Sequence, residues 1–496
     1  MSAAPASFSE SELAVLRVLS RRFTDAAGAT AEIARLTAEL TLPKGSIHVL
    51  SDVHGEDVKL RHIINNASGT LRPLVDRVFS ERSKSDREDL LSLLFYPAET
   101  LDRRLPGLDP ETRRGLILRA LNDLLTVVRT LARRTSIQRV EAVFPPEYAE
   151  ILREMLHESF SDRGTAYVAA IVDPLLGQGG EADFIRMVVR VVRNLAVSEL
   201  IVAGDCVDRG PRGDRVIEYL RHQPRVSITW GNHDVAWLGA ALGHEALIAH
   251  VLRISTRYRR LSQLEEGYGV TMQPLERLVR TVYADDPAEH FLPKGGGLRE
   301  TIVMARMQKA VAVMQYKLEG QMIARHPEWE LDHRRLLRNI DLEKGTVVVD
   351  GRTYPLRDRH LPTVDPANPE ALSEDEQQCL DRMRASFLAS PLLWEHARFL
   401  VARGSSFVQR DDHLIFHGCV PVDEAGEFLP LAIDGEEHRG RALFHAIDDV
   451  VTRALNHRAP KDLDFLWYLW SGPRSPMFGK DRITTFERDF VADPSA

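Results

Sequence analysis

The sequence predicts an α/β protein in which short β-rich runs alternate with helices. Three observations predict it. ELIVAGDCVDRG (199–210), GDRVIEYLRHQ (213–223) and RVSITWGNHD (225–234) read as strand, helix and strand, a spacing that favours parallel neighbours. SIHVLSDVHG (46–55) is a further β-rich run that ends in polar residues. Between these runs lie long tracts whose apolar residues recur at helical spacing.

Taken in order, residues 9–41 read as helix, with Pro43-Lys44-Gly45 as the break. Residues 46–50 read as a buried strand and 51–57 as the loop at its tip. Residues 80–160 read as helical. Asp109-Pro110 supplies a start signal there, since Asp caps free N–H groups and Pro suits the first helical position. FIRMVVRVVRNLA (184–196) is amphipathic. The stretch 234–345 is mostly helical, and the Met and Val stripe of ETIVMARMQKAVAVMQYKLEGQMIA reads as core. GTVVVDGRTYPL (345–356) reads as a hairpin about Asp350-Gly351, 362–376 as a loop, and HLIFHGC (413–419) as a strand ending in a histidine.

Bulk properties exclude some classes. The 496 residues are 44% hydrophobic and 27% charged, with a formal net charge of −8. A chain of this length needs more than one lobe. The charge gives no general pull toward nucleic acid or an anionic membrane, so neither is expected as a partner. No apolar run approaches the roughly 20 residues that span a bilayer. The three cysteines, Cys206, Cys379 and Cys419, do not make a disulfide framework, and the N-terminus lacks a signal-peptide core, which fits a cytoplasmic protein.

Four polar tips carry metal-ligand residues: Asp52-Val53-His54-Gly55, Gly204-Asp205-Cys206-Val207-Asp208-Arg209-Gly210, Gly231-Asn232-His233-Asp234 and His417-Gly418. In open α/β sheets the ligand site lies beyond the C-terminal strand ends, so four such ends can converge. Asp52, His54 and Asp205 suit one divalent ion. Asp205, Asn232 and His417 suit a second, with Asp205 bridging. The donor types fit Mn²⁺, Fe or Zn²⁺. Two ions about 3.5–4 Å apart can activate water and clamp phosphate oxygens. His233 can protonate the leaving alkoxide, Asp208 can orient that imidazole, and Arg209 offers a forked donor for phosphate oxygens. Cys206 and Cys419 read as packed side chains; His62, His244 and His250 as surface or satisfied helix residues; Lys294 with Gly295-Gly296-Gly297 as a loop.

The four motifs in this order resemble the phosphoprotein-phosphatase branch of the metallophosphoesterases. Within it the chain looks most like class 3 fructose-1,6-bisphosphatase. The likeness extends to LSDVHGEDVKLRHIINNASG, RISTRYRRLSQLEEGYGV, KAVAVMQYKLEGQMIARHPEWELDHR, LIFHGCVPVDEAGEF and LWYLWSGPRSPMFGKDRITTFERDF. It implies a calcineurin-like sandwich, with helices flanking two β-sheets and large helical insertions. The implied organisation is an N-terminal helical segment (1–44), a core first part (45–233) with a helical insertion at about 80–160, a helical cap (234–400) and a core second part (401–496). The implied reaction is Mn²⁺-dependent hydrolysis of the 1-phosphate of fructose 1,6-bisphosphate, a gluconeogenic step with a small phosphorylated sugar as partner. Homo-oligomerisation stays open. The resemblance also implies a later Gly-His motif for the second metal, absent before Ala496, so that position is expected to be short of a ligand and a sheet edge unpaired. Two alternatives stand beside this reading: a phosphoprotein or dinucleoside-polyphosphate phosphatase, and a non-catalytic remnant that binds metal or a partner. Arg474, Lys480 and Arg482 are candidates for a second phosphate contact.

Overall fold

The computed structural model describes residues 9–157, 162–479 and 484–492, without the side chains of 157 and 162–165. The chain forms two compact units. One comprises Met1–Ser46 and Ile64–Ser198, the other Ile47–Ile63 and Glu199–Ala496.

The first unit is helical. Its N-terminal tract is two helices rather than one, α1 (Glu10–Arg22) and α2 (Ala26–Glu39). The break has a local cause: the Asp25 carboxylate accepts the Gly28 N–H and starts α2. Farther on, Asp109 caps α3 (Pro110–Ala132) by accepting the N–H groups of Glu111 and Thr112. The apolar stripe of α3 packs on that of α4 (Glu181–Ala196), so Leu121, Leu124, Val188 and Val192 lie in one buried cluster.

The second unit is mixed α/β. Strands β1 (Ile47–Leu50), β2 (Glu199–Ala203) and β3 (Val226–Thr229) are parallel neighbours. β4 (Ile340–Asp341), β5 (Thr346–Val349) and β6 (Arg352–Pro355) form a small antiparallel sheet, with Asp350 and Gly351 at positive φ in the β5–β6 turn. β7 (Gly404–Ser405) joins the parallel sheet beside β3, giving the order β1-β2-β3-β7. β8 (Phe407–Arg410) and β9 (His413–Phe416) make a separate hairpin.

Two sequence expectations need correction. β1 is an edge strand, and Val49 is 50% exposed, so the strand is not buried on both faces. The His417 strand, β9, is not a member of the parallel sheet: only the tips of β1, β2 and β3 follow the strand-end rule, and His417 arrives from the antiparallel hairpin. The Met and Val stripe is core, as Met307, Val311 and Met314 of the 25-residue helix Thr301–Arg325 are buried. Among the described residues, no single helix is long and apolar enough to cross a membrane.

Candidate metal centre

The site is built where backbone strain is concentrated. Asp52, His54 and Asp205 all take positive φ, at 55°, 49° and 55°. Non-glycine residues rarely adopt this conformation unless surrounding bonds enforce it. Here the two loops clasp each other: Asp52 N–H donates to Gly204 O at 3.2 Å, His54 N–H to Asp205 O at 2.7 Å and Gly55 N–H to Cys206 O at 2.9 Å. Two glycines are dictated by close approach. A Cβ on Gly204 would lie 2.3 Å from His417 Nδ1, and one on Gly231 would lie 2.2 Å from Asp205 Oδ1.

Asp52, His54 and Asp205 come together, with one ligand atom from each lying within 4.8 Å of the others. His54 Nε2 is 3.5 Å from Asp52 Oδ1, and its Nδ1 is 3.8 Å from Asp205 Oδ2. That Nδ1 is buried and lacks a hydrogen-bond partner among the described residues. Two carboxylates and an imidazole are a donor set that suits a divalent ion, with the buried His54 Nδ1 making no hydrogen bond although Asp208 Oδ2 lies 3.3 Å away. His417 approaches the same oxygen, its Nε2 3.5 Å from Asp205 Oδ2. Its Nδ1 lies 2.9 Å from Ala203 O, and a carbonyl only accepts, so Nδ1 carries the hydrogen and Nε2 faces Asp205. The Asn232 Nδ2 amide donates to Trp470 O at 3.3 Å, which leaves its carbonyl oxygen as the available donor atom.

Asp208 touches two histidines. One oxygen is 3.2 Å from His233 Nδ1 and the other 3.3 Å from His54 Nδ1. Arg209 is half-exposed, its Nε 3.6 Å from Asp208 Oδ2. Arg474 donates to Pro430 O, while Lys480 and Arg482 lie outside the described residues.

Sequence reasoning missed three contributors. Asp234 is almost fully buried, and its carboxylate accepts N–H bonds from Asp205, Cys206, Val207 and Gly231 at 2.8, 2.9, 3.4 and 2.9 Å. It sits in the first turn of helix α5 (Asn232–Ala241) and ties the β2 and β3 loops together. The signal was present, since a carboxylate at the third helical position is a recognised backbone acceptor. His250, on α6 (Glu245–Arg257), and Trp470, near the end of α7 (Pro460–Ser471), form a column behind His233. The His233 and His250 rings stack at 5.9 Å, and His250 lies 4.0 Å from the Trp470 ring. His250 is therefore neither a surface nor a fully satisfied helix histidine: it is buried, and its Nδ1 has no hydrogen-bond partner among the described residues. No local pattern marks a ring that stacks across three helices.

The charged groups of the site act on one another. Burial would raise the Asp205 carboxyl, but the close approach of His417 and the charges of His233, His417 and His54 hold it below its ordinary value. Burial opposes protonation of His417, yet Asp205 carries it up to about 9. Burial and the Asp205 charge push Asp234 up to about 7 against its N–H partners. Burial forces His250 well down, so it stays neutral.

A family model described as Firmicute fructose-1,6-bisphosphatase matches residues 14–496. The chain belongs to this family. Among its relatives, the class 3 fructose-1,6-bisphosphatase of Clostridium botulinum is 36% identical over 98% of this chain and 75% of its own length. That of Bacteroides fragilis is 36% identical over 98% of this chain and 74% of its own. The Clostridioides difficile protein of the same name is 35% identical over 97% and 74%. No solved structure matches this chain significantly. The fructose-1,6-bisphosphatase match thus runs through every loop that contributes to the metal centre.

Proposed function

We propose that this protein hydrolyses the 1-phosphate of fructose 1,6-bisphosphate, releasing fructose 6-phosphate and inorganic phosphate, on a calcineurin-like metallophosphoesterase scaffold. The convergence of Asp52, His54 and Asp205 within a chain matched almost end to end by the bisphosphatase family carries the reading. Asp52, His54 and Asp205 would hold one divalent ion, and Asp205, Asn232 and His417 a second, with Mn²⁺ the leading candidate. Such ions supply Lewis-acid charge to phosphate oxygens and lower the pKa of water.

The remaining roles belong to the protein. Asp208 fixes the His233 ring through Nδ1, which leaves Nε2 as the face that can give a proton to the departing sugar oxygen. Arg209, half-exposed beside Asp208, is free to swing toward phosphate oxygens and pair with them in a fork. Asp234 keeps both loops in their strained conformations, so the carboxylates need not reorganise when substrate arrives.

The test is phosphate release from fructose 1,6-bisphosphate with Mn²⁺, Fe²⁺ or Zn²⁺ supplied in turn. Turnover is expected, with loss in Asp205→Ala. Absence of release with every metal overturns the proposal, and faster turnover of a phosphopeptide or a dinucleoside polyphosphate reassigns the substrate.

A further inference from the structure

Helix α1 is well made but covers nothing. Its start is capped reciprocally: the Glu12 N–H donates to Ser9 Oγ and the Ser9 N–H donates to the Glu12 carboxylate. None of its 13 residues is buried. Leu13, Val15, Leu16, Val18 and Leu19 are all exposed, and Val18 reaches 67%. Ile33 and Leu36 of α2, and Leu40 just past its end, add to the exposed apolar surface. An isolated helix of about 12–15 residues is marginal in water and owes its stability to packing of an apolar face. A helix this short, with so many exposed aliphatic side chains, therefore calls for a cover.

The charge order of α1 says what the cover is. Its first turn is acidic, with Glu10 and Glu12, and its last turn is basic, with Arg21 and Arg22. A helix acidic at one end and basic at the other is complementary to itself in the antiparallel direction. Setting Glu12 against Arg22 of a second copy also sets Val15 against Leu19 and Leu16 against Val18. Every contact is then made twice, as a two-fold axis requires. A parallel arrangement would instead place like charges together. Within one copy, Arg22 already approaches Glu32 at 3.3 Å and its own neighbour Phe23. Its guanidinium has five N–H donors, so these contacts leave others for a second partner.

We propose that α1 pairs antiparallel with α1 of a second copy of this chain, burying the Val15, Leu16, Val18 and Leu19 face in a two-fold dimer. The end charges select the direction and the aliphatic face supplies the free energy. One short helix pair lies at the small end of specific interfaces, so association is expected to depend on concentration.

The test is sedimentation and light scattering of the full chain at about 1–100 µM, the range in which an interface of that class associates. Wild type is expected to pass from monomer to dimer, and Leu16→Glu to remain monomeric. Glu12→Arg and Arg22→Glu are each expected to weaken the dimer about tenfold, and the two together to restore it. Circular dichroism melts serve as the fold control: Leu16→Glu and Arg22→Glu are expected to leave them unchanged, and Glu12→Gln, which keeps a cap acceptor for the Ser9 N–H without the charge, separates loss of charge from loss of the cap. A wild type that stays monomeric throughout overturns the proposal, whether another segment or another protein covers α1. A dimer that survives Leu16→Glu overturns it too, and failure of the double charge variant to recover overturns the antiparallel pairing.

Discussion

The helical unit and the α/β unit solve different problems with the same amino acids. Among the described residues of the helical unit, the buried polar side chains are Thr100 and Glu181, and the non-glycine residues at positive φ are Ala67 and Ser68. The α/β unit buries Asp205, Asp208, Asp234, His250, Arg253, Lys309 and Lys317, and it holds Asp52, His54 and Asp205 in strained conformations. The first region follows local rules almost everywhere; the second departs from them at scattered turns and buried charges, and three of its strained residues meet at the candidate site. Proteins break such rules where chemistry demands it and compensate nearby. Asp234 is the compensation, a buried acceptor that holds the strained loops against each other.

Mutations can break this contrast or sharpen it. The largest effect is expected at its centre. Asp205→Ala should lower kcat on fructose 1,6-bisphosphate by on the order of 10³-fold, equivalent to about 4 kcal/mol, and abolish tight metal binding. Steady-state kinetics and metal analysis check both. In the helical unit, Leu121→Ala removes a fully buried side chain and should cost about 3 kcal/mol of stability in a denaturant titration. kcat should stay the same, and a comparable loss of kcat would show that the two regions are not functionally separable. Asp234→Asn presents N–H groups to N–H groups and should cost about 2 kcal/mol, with metal affinity lowered roughly 10–100-fold. A variant that lost stability but kept wild-type metal affinity would deny Asp234 its organising role.

A pH effect of similar or smaller size is expected away from the site. Asp464 is buried and accepts bonds from His244 and His326, with Arg325 beside it. Burial opposes its ionisation, but the His244 bond and the other partners hold it at about 2, below its ordinary 3.8. The unfolded chain therefore takes up the proton first as the solution is acidified. Its contribution, about 2 kcal/mol, is complete above about pH 5 and lost as pH falls through the folded value. Asp464→Asn should flatten that part of the acid limb of stability. The smallest effect is expected on the surface of the helical unit, where Arg82→Ala removes a bidentate pair with the Asp123 carboxylate and should cost under about 1 kcal/mol.

The parts that sequence reveals and the parts it conceals follow the same division. Caps and periods are local, so the Asp109 start, the β5–β6 turn and the α4 stripe are legible residue by residue. The candidate ligand loops stand out as β-rich runs that each lead into a short polar motif, and the structure brings Asp52, His54 and Asp205 together. The break before Ala26 is a local cap overlooked inside a continuous apolar pattern. The membership of β9 in its own hairpin is decided by pairing with β8, which periodicity does not encode. His250 and Trp470 are concealed for a stronger reason: their roles exist only once three helices have packed.

The pairing of Ile47 with Glu199 has a consequence in time. β1 and β2 are adjacent in the sheet, yet the Ile64–Ser198 stretch of the helical unit is threaded between them. Joining such distant strands through a disordered connection costs loop-closure entropy before any contact repays it. A helical unit that folds first, from local contacts, shortens that connection to a compact spacer. The clasp of the Asp52 loop on the Gly204 loop can close only once β1 and β2 are paired, so early folding of that helical stretch would hasten it.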